Sequence, residues 1–465
     1  MSANAKLLAA LALVGSLSLS GCANLWPAPW PAHETPRMNL PEATVMASLS
    51  VDRQWWKVFA DPALDRLVDD ALANNLDLAK AAANIAEASA NANSAKALLS
   101  PRLDALGKVS ATQRQLSLSN GGDINKLSRL AAAGVGGSWE IDLWGRIGQM
   151  NEAALARLAA SEHTRNATAL SISATVVNTY FQLLALDVNL RLAQDAQRSL
   201  AAVSNLEFRR WKADVGTEFA YRQSLAELVS TEARIPSIEL AIVQTELALA
   251  ILSGRSPRQM TEPLLRNDTL PTLPETPREF DTALLLRRPD VASAEQMLVA
   301  ANADVNAARA EQLPRLNLSL LLGLIATSSS AISGFPLYAD LTAGLSAPIY
   351  DAGLLQSKVE AAEARKEKAI AHYRYTVSLA FRDVYEAMVQ REAGDKTVVS
   401  AEKTVAVRKQ SLVLAEKSYD AGRTSKFEVL SETIKVLNAQ MALTEARQNQ
   451  FVASSQFYRA IGGGF

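Results

Sequence analysis

What the chain lacks narrows its function before any motif is read. Its 465 residues contain three histidines, His33, His163 and His372, and none has a second ligand at metal-binding spacing. No Ser/His/Asp arrangement and no glycine-rich phosphate loop occurs in the sequence. An enzyme reading therefore has no constellation to rest on, and no cofactor is expected. Lysine plus arginine (47) nearly cancels aspartate plus glutamate (48), for a net charge of −1. The basic surplus that nucleic acid demands is missing. Aromatic residues make up 6% of the chain and apolar ones 49%. The difference is largely alanine and leucine, which suits close-packed helices better than an enzyme core around a deep pocket.

Cysteine occurs once, as Cys22. It follows Lys6 and an apolar, small-residue run from Leu7 to Ser20, too short to remain as a spanning helix. Residues 1–21 read as a signal peptide. Leu19-Ser20-Gly21-Cys22 resembles the bacterial lipobox, whose cysteine is acylated and becomes the new N-terminus. Acyl chains hold a protein to one leaflet without threading it through the bilayer. Ala23 and Asn24 follow, without the aspartate found next to the cysteine in many lipoproteins retained at the inner membrane. Residues 22–50, with Pro27, Pro29, Pro31, Pro36 and Pro41, read as a lipidated, extended tether.

From residue 51 onward the chain is written twice. Arg287-Arg288-Pro289-Asp290 opens an alanine-rich helical run that ends at Leu313-Pro314-Arg315-Leu316. About 213 residues earlier, Asp77-Leu78-Ala79 and Pro101-Arg102-Leu103 hold the corresponding places. A proline that closes a helix and opens a strand, twice at one offset, marks an internal duplication. The expected domains are a first repeat over 51–256, a proline-rich linker over 257–281 and a second repeat over 282–465. Each repeat contains helices, a β-hairpin (about 102–144 or 314–350) and a long helical hairpin. Asp61 before Pro62 is a helix N-cap with proline at the first helical position.

The hairpins carry a period of two. Leu103, Ala105, Gly107 and Val109 alternate with Asp104, Leu106, Lys108 and Ser110; Val135, Gly137 and Trp139 alternate with Ser138 and Glu140. In the second repeat Leu318, Leu320 and Leu322 alternate with Asn317 and Ser319, and Leu341, Ala343 and Leu345 with Thr342 and Gly344. Ten or more residues of alternation fit strands tilted across a bilayer, apolar side to lipid and small or polar side to a lumen. Trp139, Trp144, Phe335, Tyr338 and Tyr350 fall near the strand ends, where interfacial aromatics belong.

From Gly145 to Asp214 there is no proline. Leu170, Ala174, Val177, Phe181, Leu184 and Val188 keep coiled-coil spacing. About 65 helical residues reach roughly 100 Å. Gly216 breaks the run and a return helix reaches about Leu252; in the second repeat Gly422 is taken as the equivalent break. Four strands cannot close a barrel, and open edges are not tolerated in lipid. Copies of the chain must pool their strands, with cyclic symmetry as the ordinary solution.

Five stretches then point to a family. They are Trp55-Trp56-Lys57-Val58-Phe59 with Asp61-Pro62-Ala63-Leu64; Trp139-Glu140-Ile141-Asp142-Leu143-Trp144-Gly145-Arg146; Arg287-Arg288-Pro289-Asp290-Val291; Ala347-Pro348-Ile349-Tyr350-Asp351; and Tyr458-Arg459-Ala460-Ile461-Gly462-Gly463-Gly464-Phe465. Through them the chain resembles the TolC-type outer membrane factors, in the lipoprotein branch that serves RND multidrug efflux pumps. The resemblance implies an α+β membrane protein. In it, four transmembrane strands per protomer pool into a trimeric outer membrane β-barrel that continues into a long periplasmic α-helical barrel. It implies a homotrimer, outer membrane lipid, a periplasmic adaptor and an inner-membrane pump as partners, with neither catalysis nor cofactor. A lipid-anchored periplasmic coiled-coil structural or adaptor protein is the rival reading; it leaves the four long alternating strands unexplained.

At the helical turns the chain departs from the family. Many relatives place aspartate about six residues after each turn glycine, where this chain has Arg222 and Glu428. Asp214 and Asp420 precede Gly216 and Gly422 by two residues instead. The expected periplasmic gate is an acidic ring of Asp214 and Asp420, whose crowded charges must be solvated, protonated or paired with neighbours such as Arg210 and Arg423. Arg222 and Glu428 are the next candidates. Val215-Gly216-Thr217 and Ala421-Gly422-Arg423 are the expected adaptor-docking turns.

Overall fold

The computed structural model describes residues 54–117, 123–256, 282–327 and 337–464, with isolated positions between 257 and 281. The signal peptide, Cys22, the tether, most of the proline-rich linker and Phe335 lie outside the described residues. In chain order the elements are α1 (Pro62–Asn74), α2 (Leu76–Ala97), β1 (Arg102–Ser117), β2 (Asp123–Ile141), α3 (Arg146–Lys212), α4 (Glu218–Glu232) and α5 (Ile235–Leu252). The second repeat supplies α6 (Pro289–Ala310), β3 (Arg315–Thr327), β4 (Leu337–Ser346), α7 (Leu354–Asp420) and α8 (Lys426–Ala460). Short 3₁₀ turns precede α1 and α6, at Trp55–Phe59 and Thr282–Arg287.

Element lengths display the duplication. Helices α2 and α6 have 22 residues each, and α3 and α7 have 67 each. The stretch Glu218–Leu252 is 35 residues long, as is α8. One difference departs from the expected single return helix. In the first repeat it is broken at Ala233–Arg234, where α4 ends and α5 begins. Pro236 lacks the N–H that would bond the carbonyl of Glu232. The Arg234 guanidinium at the break donates to Asn438 Oδ1 of α8 at 3.0 Å. Helix α8 has no proline and runs unbroken.

One compact unit comprises Glu87–Ala159 and Glu295–Ala371. It holds a four-stranded antiparallel sheet in the order β1-β2-β3-β4. The register pairs Leu103 with Gly137, Gly137 with Leu320 and Leu320 with Leu341. Directly opposed residues share a face, so the sheet has an apolar side with Leu103, Val135, Leu318, Leu320, Leu322 and Leu341. Its other side carries Asp104, Ser138, Glu140, Asn317, Ser319 and Thr342. The period-two pattern and the observed register thus give one division into faces. Gly134 and Gly323 are opposed across β2 and β3. A Cβ on Gly134 would stand 2.3 Å from the Leu322 carbonyl oxygen, and one on Gly323 2.6 Å from that of Ala133. Only glycine permits so close an approach of the two backbones. At the strand ends, Trp139 donates from Nε1 to the Leu99 carbonyl at 3.1 Å and Trp144 to that of Pro314 at 2.7 Å.

The second unit comprises the described residues up to Ala86, with Ala160–Ala294 and 372–464. Its core is aromatic despite the overall scarcity of rings. Phe181 stacks on Phe451 at 4.3 Å and meets Phe59 edge-on at 5.0 Å, and Trp55 stacks on Tyr458 at 5.7 Å. Asp61 is fully buried. It caps α1 by accepting from the Ala63 and Leu64 amides at 2.9 and 3.3 Å, and its second oxygen accepts from Tyr180 Oη at 2.7 Å. Arg288, also buried, donates to Asp290 at 2.8 Å, to Asp383 at 3.3 Å and to the Ala460 carbonyl at 2.9 Å. The end of α8 is thereby pinned to the start of α6 and to α7. Arg266, in the linker region, pairs with Asp187 of α3 at 2.6 Å and with Glu246 of α5. Burial holds the Asp187 carboxyl above the ordinary aspartate value, against the pull of Arg266.

Candidate functional site: the two helical turns

Helices α3 and α7 end in the same way. The Val215 amide bonds the Arg210 carbonyl at 2.9 Å, and the Arg423 amide bonds that of Ser418 at 2.9 Å. Both are the long 6→1 bond of a Schellman cap, which requires a left-handed residue just before the donor. Those residues are Asp214 (φ 56°) and Gly422 (φ 69°). Asp214 is therefore the counterpart of Gly422, and the expected equivalence of Gly216 with Gly422 is corrected. Aspartate takes this conformation more readily than most residues because its short polar side chain bonds locally. Gly216 serves a different need: a Cβ there would lie 3.0 Å from Arg210 Cβ. Asp420 falls level with Lys212, so the two aspartates do not hold matching places. Arg222 and Glu428 do not match either. They stand five and three residues after the N-caps Thr217 and Ser425.

The side chains around the turns also regroup. Arg210 donates from Nη1 to Tyr419 Oη at 3.3 Å, joining α3 to α7, and lies 3.6 Å from the buried Glu207 carboxylate. Among the described residues, Asp214, Asp420 and Arg423 are exposed and form no side-chain hydrogen bond or ion pair. Of the states open to the aspartates, the single chain shows exposure to solvent rather than pairing, and Arg210 belongs instead to a Glu207–Arg210–Tyr419 group. Arg222 pairs with Glu218 one turn away at 3.2 Å. Glu428 sits in the first turn of α8, where the helix dipole favours a carboxylate. Thr217 caps α4, its Oγ1 accepting from the Ala220 amide at 3.2 Å.

An aromatic cluster stiffens the first turn. Trp211 stacks on Tyr221 at 5.6 Å with an interplanar angle of 11°, Phe208 meets Tyr221 at 5.2 Å, and Lys212 Nζ stands 4.3 Å from the Trp211 ring centre. Its sequence signal is the run Phe208-Arg209-Arg210-Trp211, dense in rings for a chain so poor in them. Val215 and Phe219 project beyond it, 70% and 74% exposed. The second turn is more polar, with Arg423 exposed and Lys426 Nζ over the Tyr419 ring at 4.7 Å.

Residues 67–255 and 282–463 match the model of the outer membrane efflux protein family. The pyoverdine export outer membrane protein OpmQ of Pseudomonas putida is 32% identical over 456 residues, covering 97% of this chain and 96% of that protein. The probable outer membrane lipoprotein SilC of Salmonella typhimurium is 26% identical, with 96% of both chains covered. Among solved structures, the outer-membrane channel OprN superposes with a TM-score of 0.83 at 26% identity, covering 94% of this chain and 99% of its own. The CmeC channel of Campylobacter jejuni gives 0.84 at 25%, covering 93% and 95%.

Proposed function

This chain belongs to the outer membrane efflux protein family, and from that premise we propose that three copies form the exit duct of a tripartite efflux system. Energy comes from an inner-membrane pump of RND type, a periplasmic adaptor links pump to duct, and the duct itself is passive. The two-faced sheet carries this reading. Its edge strands β1 and β4 are open, and lipid does not tolerate unpaired strand edges. Three four-stranded sheets close a twelve-strand barrel with the leucine face outward and the serine, asparagine and carboxylate face lining the bore. Self-association also accounts for a stripe on α5 of Leu240, Val243, Leu247 and Ile251, exposed in the single chain. Cys22 supplies the lipid anchor.

The turns are the resting gate. The Arg210–Tyr419 bond holds α3 against α7, and six turns from three copies crowd Asp214 and Asp420 together. Adaptor docking on Val215-Gly216-Thr217 and Ala421-Gly422-Arg423 biases the helices towards opening. The apolar, aromatic first turn and the polar second turn offer the adaptor two chemically distinct contacts. Small-molecule cargo fits the similarity to OpmQ, a pyoverdine export protein.

The test is restoration of efflux. The chain is expressed, together with a cognate adaptor and pump, in cells lacking their own outer membrane efflux channel, and accumulation of a fluorescent dye is followed. Accumulation should fall only when all three components are present. Unchanged accumulation with a folded, outer-membrane-located chain would reject the reading. Arg210→Ala and Tyr419→Phe should each raise resting conductance if their bond helps to close the gate.

A further inference from the structure

We propose that a basic cleft beside the strand ends is a binding station for anionic cargo, so that the duct favours carboxylate- or phosphate-bearing small molecules; this rests on the duct reading above. The cleft has a volume of about 550 Å³ and is lined by residues of α3, α6 and α7 that all belong to one compact unit. Strand order explains its form. Strand β2 leads to α3, β3 follows α6 and β4 leads to α7, so α6 lies between the other two. Both walls therefore come from one chain, and the cleft needs no second copy to be complete.

Its charged lining is Arg146, Arg157, Lys358 and Arg365 against Asp304 and Glu311. Arg157 pairs with Asp304, and Lys358 with Glu311 at 2.8 Å. Arg146 is held by Glu140, outside the lining, at 2.8 and 3.1 Å. Arg365 is exposed and makes no side-chain hydrogen bond or ion pair among the described residues. The lining thus keeps a surplus of two cations and one uncommitted guanidinium, whose planar fork suits carboxylate and phosphate. Met150, Leu354 and Ala361 supply apolar wall. The volume lies in the range of small-molecule sites.

Two ion pairs place the cleft on the bore side. Glu140, which holds Arg146, belongs to the polar face of β2. Arg315, in step with Asn317 and Ser319 on the polar face of β3, pairs with Glu311 at 3.1 Å. The side of the sheet assigned to the bore therefore continues into the cleft, where passing cargo meets it. Opposed pairs within the lining also leave room for exchange: an arriving carboxylate competes with Asp304 and Glu311 and is released again, as a conducting site requires.

The experiment uses the full-length trimer in a planar bilayer, with benzene-1,3,5-tricarboxylate as the probe and the tris-ammonium analogue as its cationic control. The trianion should block current in a concentration-dependent way and the cation should not. Arg365→Glu should weaken the block by at least about tenfold, as expected for loss of a charge-assisted bond, and Arg365→Lys should retain most of it. Calorimetric titration of the same trianion into detergent-solubilised trimer should show the same ranking without relying on conductance. A conducting wild type that the trianion neither blocks nor binds, or equal affinity for Arg365→Glu, overturns the proposal and leaves the duct intact. A trimer that binds the trianion but never conducts overturns the duct reading instead.

Discussion

Replacing Leu320 by arginine puts the division of the sheet into faces to a quantitative test. Leu320 is near the middle of the 13-residue strand β3, far from either end where a guanidinium could reach headgroups. Its cross-strand neighbours are Gly137, over which Leu103 packs, and Leu341, so the surrounding side chains are apolar and offer a charge no partner. Arginine at the bilayer midplane costs about 2–4 kcal/mol in an outer membrane barrel. Three copies per assembly bring this to about 6–12 kcal/mol for the trimer. Ser319→Arg is the control. Ser319 is one residue away on the polar face, and its hydroxyl approaches the Thr342 carbonyl at 3.5 Å, at the outer limit of a hydrogen bond. That change should cost less than about 0.5 kcal/mol in assembly. The assay is the fraction of trimer resisting dissociation on detergent gels after outer membrane extraction. Leu320→Arg should abolish the trimer band and Ser319→Arg should keep it. Equal yields would refute the assignment of faces.

Four further outcomes are expected. Asp61→Ala should destabilise the detergent-solubilised protein by about 2–4 kcal/mol, combining a lost cap with an orphaned Tyr180 hydroxyl; Tyr180→Phe should cost less, and equal thermal midpoints for wild type and Asp61→Ala would contradict this. At the turns, Gly422→Ala should cost about 1 kcal/mol while Asp214→Gly is neutral or stabilising; hydrogen exchange at both turns checks the pair, and the reverse order would contradict the left-handed roles of Asp214 and Gly422. Hydrogen bonding from Lys358, with Arg315 nearby, holds the Glu311 carboxyl below the ordinary value of 4.5. Its contribution should be complete above that value and be lost as pH falls through the lower, folded-state value, so a Glu311→Gln variant whose stability deficit does not shrink on acidification would oppose the pairing. Cys22→Ser should abolish incorporation of labelled palmitate; labelling at the wild-type level would exclude Cys22 as the anchor.

Much of the architecture was legible because it is periodic. Alternation marked the strands and their faces without any knowledge of register, since the side-chain period of a strand is two in any pairing. The repeated Pro-Arg-Leu marked the duplication because proline acts locally, ending a helix in each copy. The turns are less legible. A glycine marks the break in both turns, yet the left-handed residue of the first turn is Asp214, and Gly216 is small because Arg210 packs against it. A glycine in sequence does not reveal whether φ or space requires it. The break before α5 had its signal in Pro236, but an otherwise apolar helical pattern continued across it. Least legible were contacts between distant segments: Asp61 with Tyr180, Arg288 with Asp383 and Ala460, and Arg210 with Tyr419. Each joins residues about 95 to 210 positions apart, and no local spacing encodes such pairings.

The proposed pooling of strands from several copies gives one shared pore. It is tested most directly by adding the purified, full-length protein to a planar lipid bilayer at low ionic strength and recording current. Discrete, uniform conductance steps are expected from a trimer-sized fraction, and none from trimer-defective Leu320→Arg protein. Silence from folded trimer that persists when the gate is loosened by Arg210→Ala, or identical steps from monomeric protein, would contradict strand pooling.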